Sequence, residues 1–127
     1  MTFFYIGLFG ICGVFARYGV GLGVEKWVSH SFPFATLAVN FVGSFLVGIV
    51  YVLGLERGLL TPELKVGLLV GFLGGFTTFS SYCLESVRLA EEGAWLSSAL
   101  YFIGSPWIGG IAAFSGILLA RRFLGLA

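Results

Sequence analysis

Three residues able to hydrogen-bond, Thr36, Asn40 and Ser44, recur every four positions in a stretch that carries no charge from Pro33 to Leu55. If the stretch is helical, that spacing puts all three on one face. Thr36 and Ser44 read as hydroxyl glue between helices. The Asn40 amide, with two donors and two acceptor lone pairs, is expensive to satisfy in apolar surroundings and reads as lining a wet path. Further on, residues 71–82 run Gly-Phe-Leu-Gly-Gly-Phe-Thr-Thr-Phe-Ser-Ser-Tyr. Adjacent glycines followed by Thr77 and Thr78 disfavour helix more than any other part of the apolar spans, so a break is expected there. At membrane depth such irregular backbone survives only where it is buried in protein or lines a cavity. Carbonyls freed by the break are hard oxygen ligands, suited to a small hard cation.

Beyond the break, Phe79 and Tyr82 stand three apart on one helical face, flanked by Ser80 and Ser81, with Glu85 one turn on. A third series, Ser97, Tyr101 and Ser105, forms a hydroxyl stripe. Pro106 follows it and has no N–H to give the Phe102 carbonyl, so a kink or local unwinding is expected there. Hydroxyls and amides donate hydrogen bonds, and aromatic ring edges carry the positive part of the ring quadrupole. A route lined this way suits a small, strongly hydrated anion better than a cation, which prefers rings of carboxylates or carbonyls. No nucleophile, base and orienting group fall into a plausible arrangement, and no phosphate-binding loop occurs, which argues against an enzyme.

The elements that must position these groups are four apolar spans. Of 127 residues, 58% are hydrophobic and 10% charged, with 14 Phe, and the mean hydropathy is +1.03. A water-soluble domain this small cannot hide so much apolar surface, so lipid is the solvent for much of it. Windows of about 20 apolar residues, enough for a helix to cross the hydrocarbon, cover residues 2–23, 33–55, 65–88 and 94–120. They are expected to form a single four-helix transmembrane domain over 1–127, with the third helix broken near its middle. The first window lacks a basic start and a small-residue cleavage site, so it reads as a retained span. Gly67 with Gly71, and Ser44 with Gly48, are small-residue pairs that read as close helix contacts. Cys12, Cys83 and His30 are scattered, with no ligand-like spacing, and the cysteines read as small buried residues. With a net charge of +1 and no basic cluster, nucleic acid is set aside as a partner. Arg57, Lys65, Arg121 and Arg122 share one side, against Lys26 and Arg88 on the other, a bias weak enough for insertion either way round.

The runs Gly-Gly-Phe-Thr-Thr-Phe-Ser at 74–80 and Thr-Leu-Ala-Val-Asn-Phe-Val-Gly-Ser-Phe at 36–45, with Gly13 and Ala16-Arg17-Tyr18, resemble the Fluc/CrcB fluoride channel family. The resemblance covers essentially the whole chain. It implies a multi-pass protein of a prokaryotic plasma membrane that exports fluoride passively from the cytoplasm. It also implies an antiparallel, dual-topology dimer, with an identical or a homologous chain, that encloses two pores and a central structural sodium ion. Carried over, the backbone carbonyls of Gly74 and Thr77 hold the sodium. A phenylalanine box falls on Phe79 and on position 82, where this chain has Tyr82 instead of Phe. Asn40 is the amide at the pore entrance. Tyr101 and Ser105 form a polar track that Ser81 and Glu85 complete, and Gly109 stands where a further hydroxyl is expected. Arg17 either sits near the aqueous vestibule or is a snorkelling arginine at a helix end.

Two other classes fit the outline. A proton-coupled small multidrug exporter shares the size and span number but needs a carboxylate in the first helix, and no Asp or Glu precedes Glu25. A non-conducting membrane scaffold would use the small-residue faces for assembly alone.

Overall fold

The computed structural model describes residues 1–28 and 31–125. His30 lies outside the described residues. Every regular element among them is helical: α1 (Thr2–Trp27), α2 (Phe34–Glu56, its last turn Val52–Glu56 of the wider π type), α3 (62–76, π-type over Gly67–Leu73), α4 (Phe79–Glu91) and α5 (Trp95–Phe123). Taken across the break between α3 and α4, four stretches are long and apolar enough to cross a membrane: Thr2–Trp27, Phe34–Glu56, Pro62–Glu91 and Trp95–Phe123.

Local chemistry sets the ends. Thr61 caps α3 by accepting from the Leu64 N–H at 3.3 Å, with Pro62 at the first helical position, where its missing N–H costs nothing. After α4, the Ala94 N–H reaches back to the Leu89 carbonyl and the Gly93 N–H to the Ala90 carbonyl. This is a Schellman turn, and it needs the left-handed backbone that Gly93 supplies at φ 82°. Between α3 and α4 the backbone is extended at Thr77 and Thr78. Local side chains contribute: the Thr77 hydroxyl donates to the Leu73 carbonyl at 2.9 Å, and Thr78 caps α4 by accepting from the Ser81 N–H at 3.3 Å.

Glycines let the helices touch through their backbones. A Cβ on Gly13 of α1 would stand 2.2 Å from the Phe72 carbonyl oxygen of α3, and one on Gly48 of α2 would stand 2.1 Å from the Ala113 carbonyl oxygen of α5. Gly71 likewise abuts α1 at the Ile6 carbonyl. The small-residue positions are thus where backbones meet, as expected where association rests on close packing and not on burial of apolar side chains. Of α1, only Gly13 is buried. Large apolar side chains such as Phe3, Phe15, Trp107 and Phe123 point outward, which is tolerable because lipid is as apolar as they are. For the same reason the cysteines are not buried as expected: Cys12 is exposed on α1 and Cys83 half-buried. α5 also stays helical across Pro106, so the local unwinding offered there as one of two expectations does not occur.

Candidate functional site

The break is held by a side chain from another helix. Asn40 of α2 donates from Nδ2 to the Thr78 carbonyl at 2.9 Å, and its Oδ1 accepts from the Thr78 N–H at 2.9 Å. A primary amide has the same donor and acceptor pair as a backbone strand, so it can pair with one extended residue on both sides. In a regular helix the Thr78 N–H would close on the Gly74 carbonyl and the Ser81 N–H on the Thr77 carbonyl. Here those two donors turn to Asn40 Oδ1 and Thr78 Oγ1. Gly74 and Thr77 are therefore among the carbonyls at the break whose usual helical partners are diverted, and Gly74 is exposed. Their hard oxygens fit a small hard cation.

Below the break, α4 projects its polar residues toward α2 and α5. Glu85 accepts from the Thr36 hydroxyl of α2 at 2.6 Å and from the Tyr101 hydroxyl of α5 at 2.9 Å, one donor on each carboxyl oxygen. Thr36 is buried, Tyr101 is 2% exposed, and Glu85 is half-buried. Thr36 and Glu85 also stand between two clefts. One, of about 220 Å³, opens toward Glu25, Arg88 and Glu92. The other, of about 640 Å³, is lined by Arg17, Thr78, Ser80 and Ser81. A third cleft, of about 350 Å³, holds Asn40, Ser44, Gly74, Thr77 and Phe79, and Thr78 borders both it and the second.

The structure thus gathers Arg17, Ser81 and Glu85 around one cleft and Asn40, Phe79, Gly74 and Thr77 around another. Phe79 is 76% exposed, its ring tilted against that of Tyr82 at 5.7 Å. Tyr82 and Tyr101 line neither cleft. They pack edge to face at 5.3 Å between α4 and α5, and the Tyr82 hydroxyl donates to the Phe102 carbonyl, the acceptor that Pro106 leaves without a helical donor. Ser105 is half-buried and borders none of these clefts. Gly109 faces α2, where a Cβ on it would lie 3.2 Å from the Ser44 hydroxyl.

Thr36, expected as hydroxyl glue between helices, does join α2 to α4 through its bond to Glu85. One participant was underread from sequence. Thr78, seen only as a helix breaker, works at once as cap, clamp partner and cleft wall, because its hydroxyl also donates to Ser81 Oγ at 2.9 Å.

Residues 4–117 match the family described as CrcB-like protein, Camphor Resistance (CrcB). The chain is similar to the fluoride-specific ion channel FluC of Geobacter sulfurreducens, at 40% identity over 121 residues, covering 95% of this chain and 98% of the relative. The protein of the same name from Chlorobium chlorochromatii is 45% identical over 120 residues, covering 94% and 92%. That from Acidithiobacillus ferrooxidans is 43% identical over 120 residues, covering 94% and 96%.

Proposed function

The chain belongs to the CrcB-like family, and from that membership we propose that it is a passive fluoride-selective channel of the prokaryotic plasma membrane. It carries fluoride out of the cytoplasm and so limits its toxicity. Hydrogen fluoride crosses lipid as a neutral acid, ionises in the more alkaline cytoplasm and is trapped there as the anion. A selective leak then lets the membrane potential drive the anion out, and no coupling to nucleotide hydrolysis is required.

The observation that carries this reading is the concentration of uncharged donors at the break in otherwise apolar spans. Ser80, Ser81 and the second Nδ2 proton of Asn40 border two clefts walled by Thr36 and Thr78, whose own protons go to Glu85 and Ser81, with the exposed ring of Phe79 beside them. Hydroxyl and amide donors replace the water shell of a small anion, and ring rims add a weak positive field. On this reading two subunits insert antiparallel, and Phe79, which protrudes from a single subunit, lines a pore at their interface. The carbonyls of Gly74 and Thr77 would hold a structural sodium ion between the broken helices, supplying positive charge and a fixed point for both breaks. Asn40 draws the Thr78 N–H away from the Gly74 carbonyl, and the Thr78 hydroxyl draws the Ser81 N–H away from that of Thr77.

The test is fluoride efflux from liposomes containing the purified chain alone, driven by a potassium gradient with valinomycin. Rapid fluoride release with chloride retained is the expected result. Vesicles no more permeable to fluoride than empty ones, with the protein folded and inserted, would refute the reading.

A further inference from the structure

Pro106 lies inside α5, yet α5 is continuous around it. A proline in a helix interior leaves the carbonyl four residues back without its donor. That carbonyl belongs to Phe102, and the Tyr82 hydroxyl of α4 donates to it. The tyrosine is 5% exposed. Its ring lies nearly parallel to that of Phe102, at 5.9 Å and 10°. The preceding residue of α5, Tyr101, donates in the opposite sense to Glu85 of α4 at 2.9 Å. Two consecutive residues of α5 are therefore fastened to α4 three residues apart, one bond running each way.

We propose that Tyr82 is a positioning residue whose hydroxyl replaces the N–H that Pro106 lacks, locking α4 onto α5 in the register that sets Phe79 and Glu85. A hydroxyl has one proton, and here it is committed to a carbonyl that would otherwise be orphaned in apolar surroundings. It is thereby withheld from the transported anion. Tyr82 and Pro106 then form a coupled pair, since restoring a backbone N–H at position 106 removes the need for the hydroxyl. The inference rests on the channel reading for its functional consequence, but the coupling itself can be measured without flux.

The experiment compares the wild-type chain, Tyr82→Phe, Pro106→Ala and the double variant. Each is read for fluoride efflux rate per active channel, the fraction of vesicles holding an active channel, and melting temperature in detergent. Tyr82→Phe is expected to lower the per-channel rate about fivefold when Pro106 is present, and less than about twofold when position 106 carries an N–H. A loss confined to the active fraction, with the surviving channels at full rate, would reduce Tyr82 to a structural role and overturn the proposal. Equal losses in both backgrounds would mean that the hydroxyl serves the ion, and no loss in either would mean that the bond is idle; both overturn it. Should Pro106→Ala fail to assemble, para-aminophenylalanine at position 82 keeps a donor on the ring and is expected to hold the wild-type rate, and a low rate there is refuting. If the wild-type chain passes no fluoride, the channel reading fails instead. Non-additive melting temperatures across the four chains would then still support the clasp, and additive ones would sink it.

Discussion

Replacing Asn40 by Ala removes both hydrogen bonds that hold the break between α3 and α4, at 2.9 Å each. The Thr78 N–H and carbonyl then face their surroundings without the amide. An unsatisfied buried backbone group costs about 1–3 kcal/mol in general. Asn40 is only half-buried, and polar contacts between membrane helices average about 0.6 kcal/mol, so the lower part of that range applies to each bond. Together they come to about 2 kcal/mol. Ser44→Ala, one turn further along the same face, touches neither bond and serves as the control. Reversible unfolding by dodecyl sulfate in mixed micelles measures the loss, and amide exchange at Thr78 measures its location. Asn40→Ala should be destabilised by that amount, with the Thr78 amide exchanging about tenfold faster or more, because 1.4 kcal/mol is a factor of ten in an opening equilibrium. An Asn40→Ala protein as stable as Ser44→Ala, or one whose Thr78 amide stays fully protected, would refute the argument that the side chain holds the break.

The same geometry sets the outcome at four other positions. Gly48→Ala forces a Cβ to within 2.1 Å of the Ala113 carbonyl and should cost about 1–3 kcal/mol in the same titration. Gly21→Ala meets nothing within 4 Å and should be neutral or mildly stabilising, since it lowers only the entropy of the unfolded chain. Phe79→Ile alters an exposed ring, so folding and assembly should survive while fluoride efflux is largely abolished; flux near wild type would remove Phe79 from the pathway. Thr36→Val keeps the side-chain shape but takes one of the two donors from Glu85, and fluoride flux should fall. Thr36→Ser should restore that flux, which separates the hydroxyl from the packing.

Several features of the fold could be read directly. The hydropathy of the spans demanded lipid, and Gly74-Gly75 with Thr77-Thr78 marked the break that the structure places at Thr77 and Thr78. The small-residue pairs at Gly67 with Gly71, and at Gly48, mark surfaces where helices meet. Other features were misread because they depend on what lies opposite. Pro106 pointed to a kink or local unwinding; α5 does not unwind there, and the Phe102 carbonyl takes a donor from α4 that the sequence does not show. Cys12 looked like a core residue, but outward and inward faces of a lipid-bathed helix are equally apolar and leave no periodic signal; the first helix buries only Gly13.

The sequence by itself determined the solvent, the number of spans, the position of the break and the kinds of group available to a passing ion, because each depends on neighbours within one or two helical turns. Only the tertiary structure decided which groups are already committed. Asn40 spends its amide on Thr78, Thr36 and Tyr101 spend their protons on Glu85, and Tyr82 spends its own on Phe102. Each of those hydrogen bonds joins residues at least 16 positions apart. Their partners are fixed by how glycine-lined helices settle against one another, which spacing along a single helix does not specify.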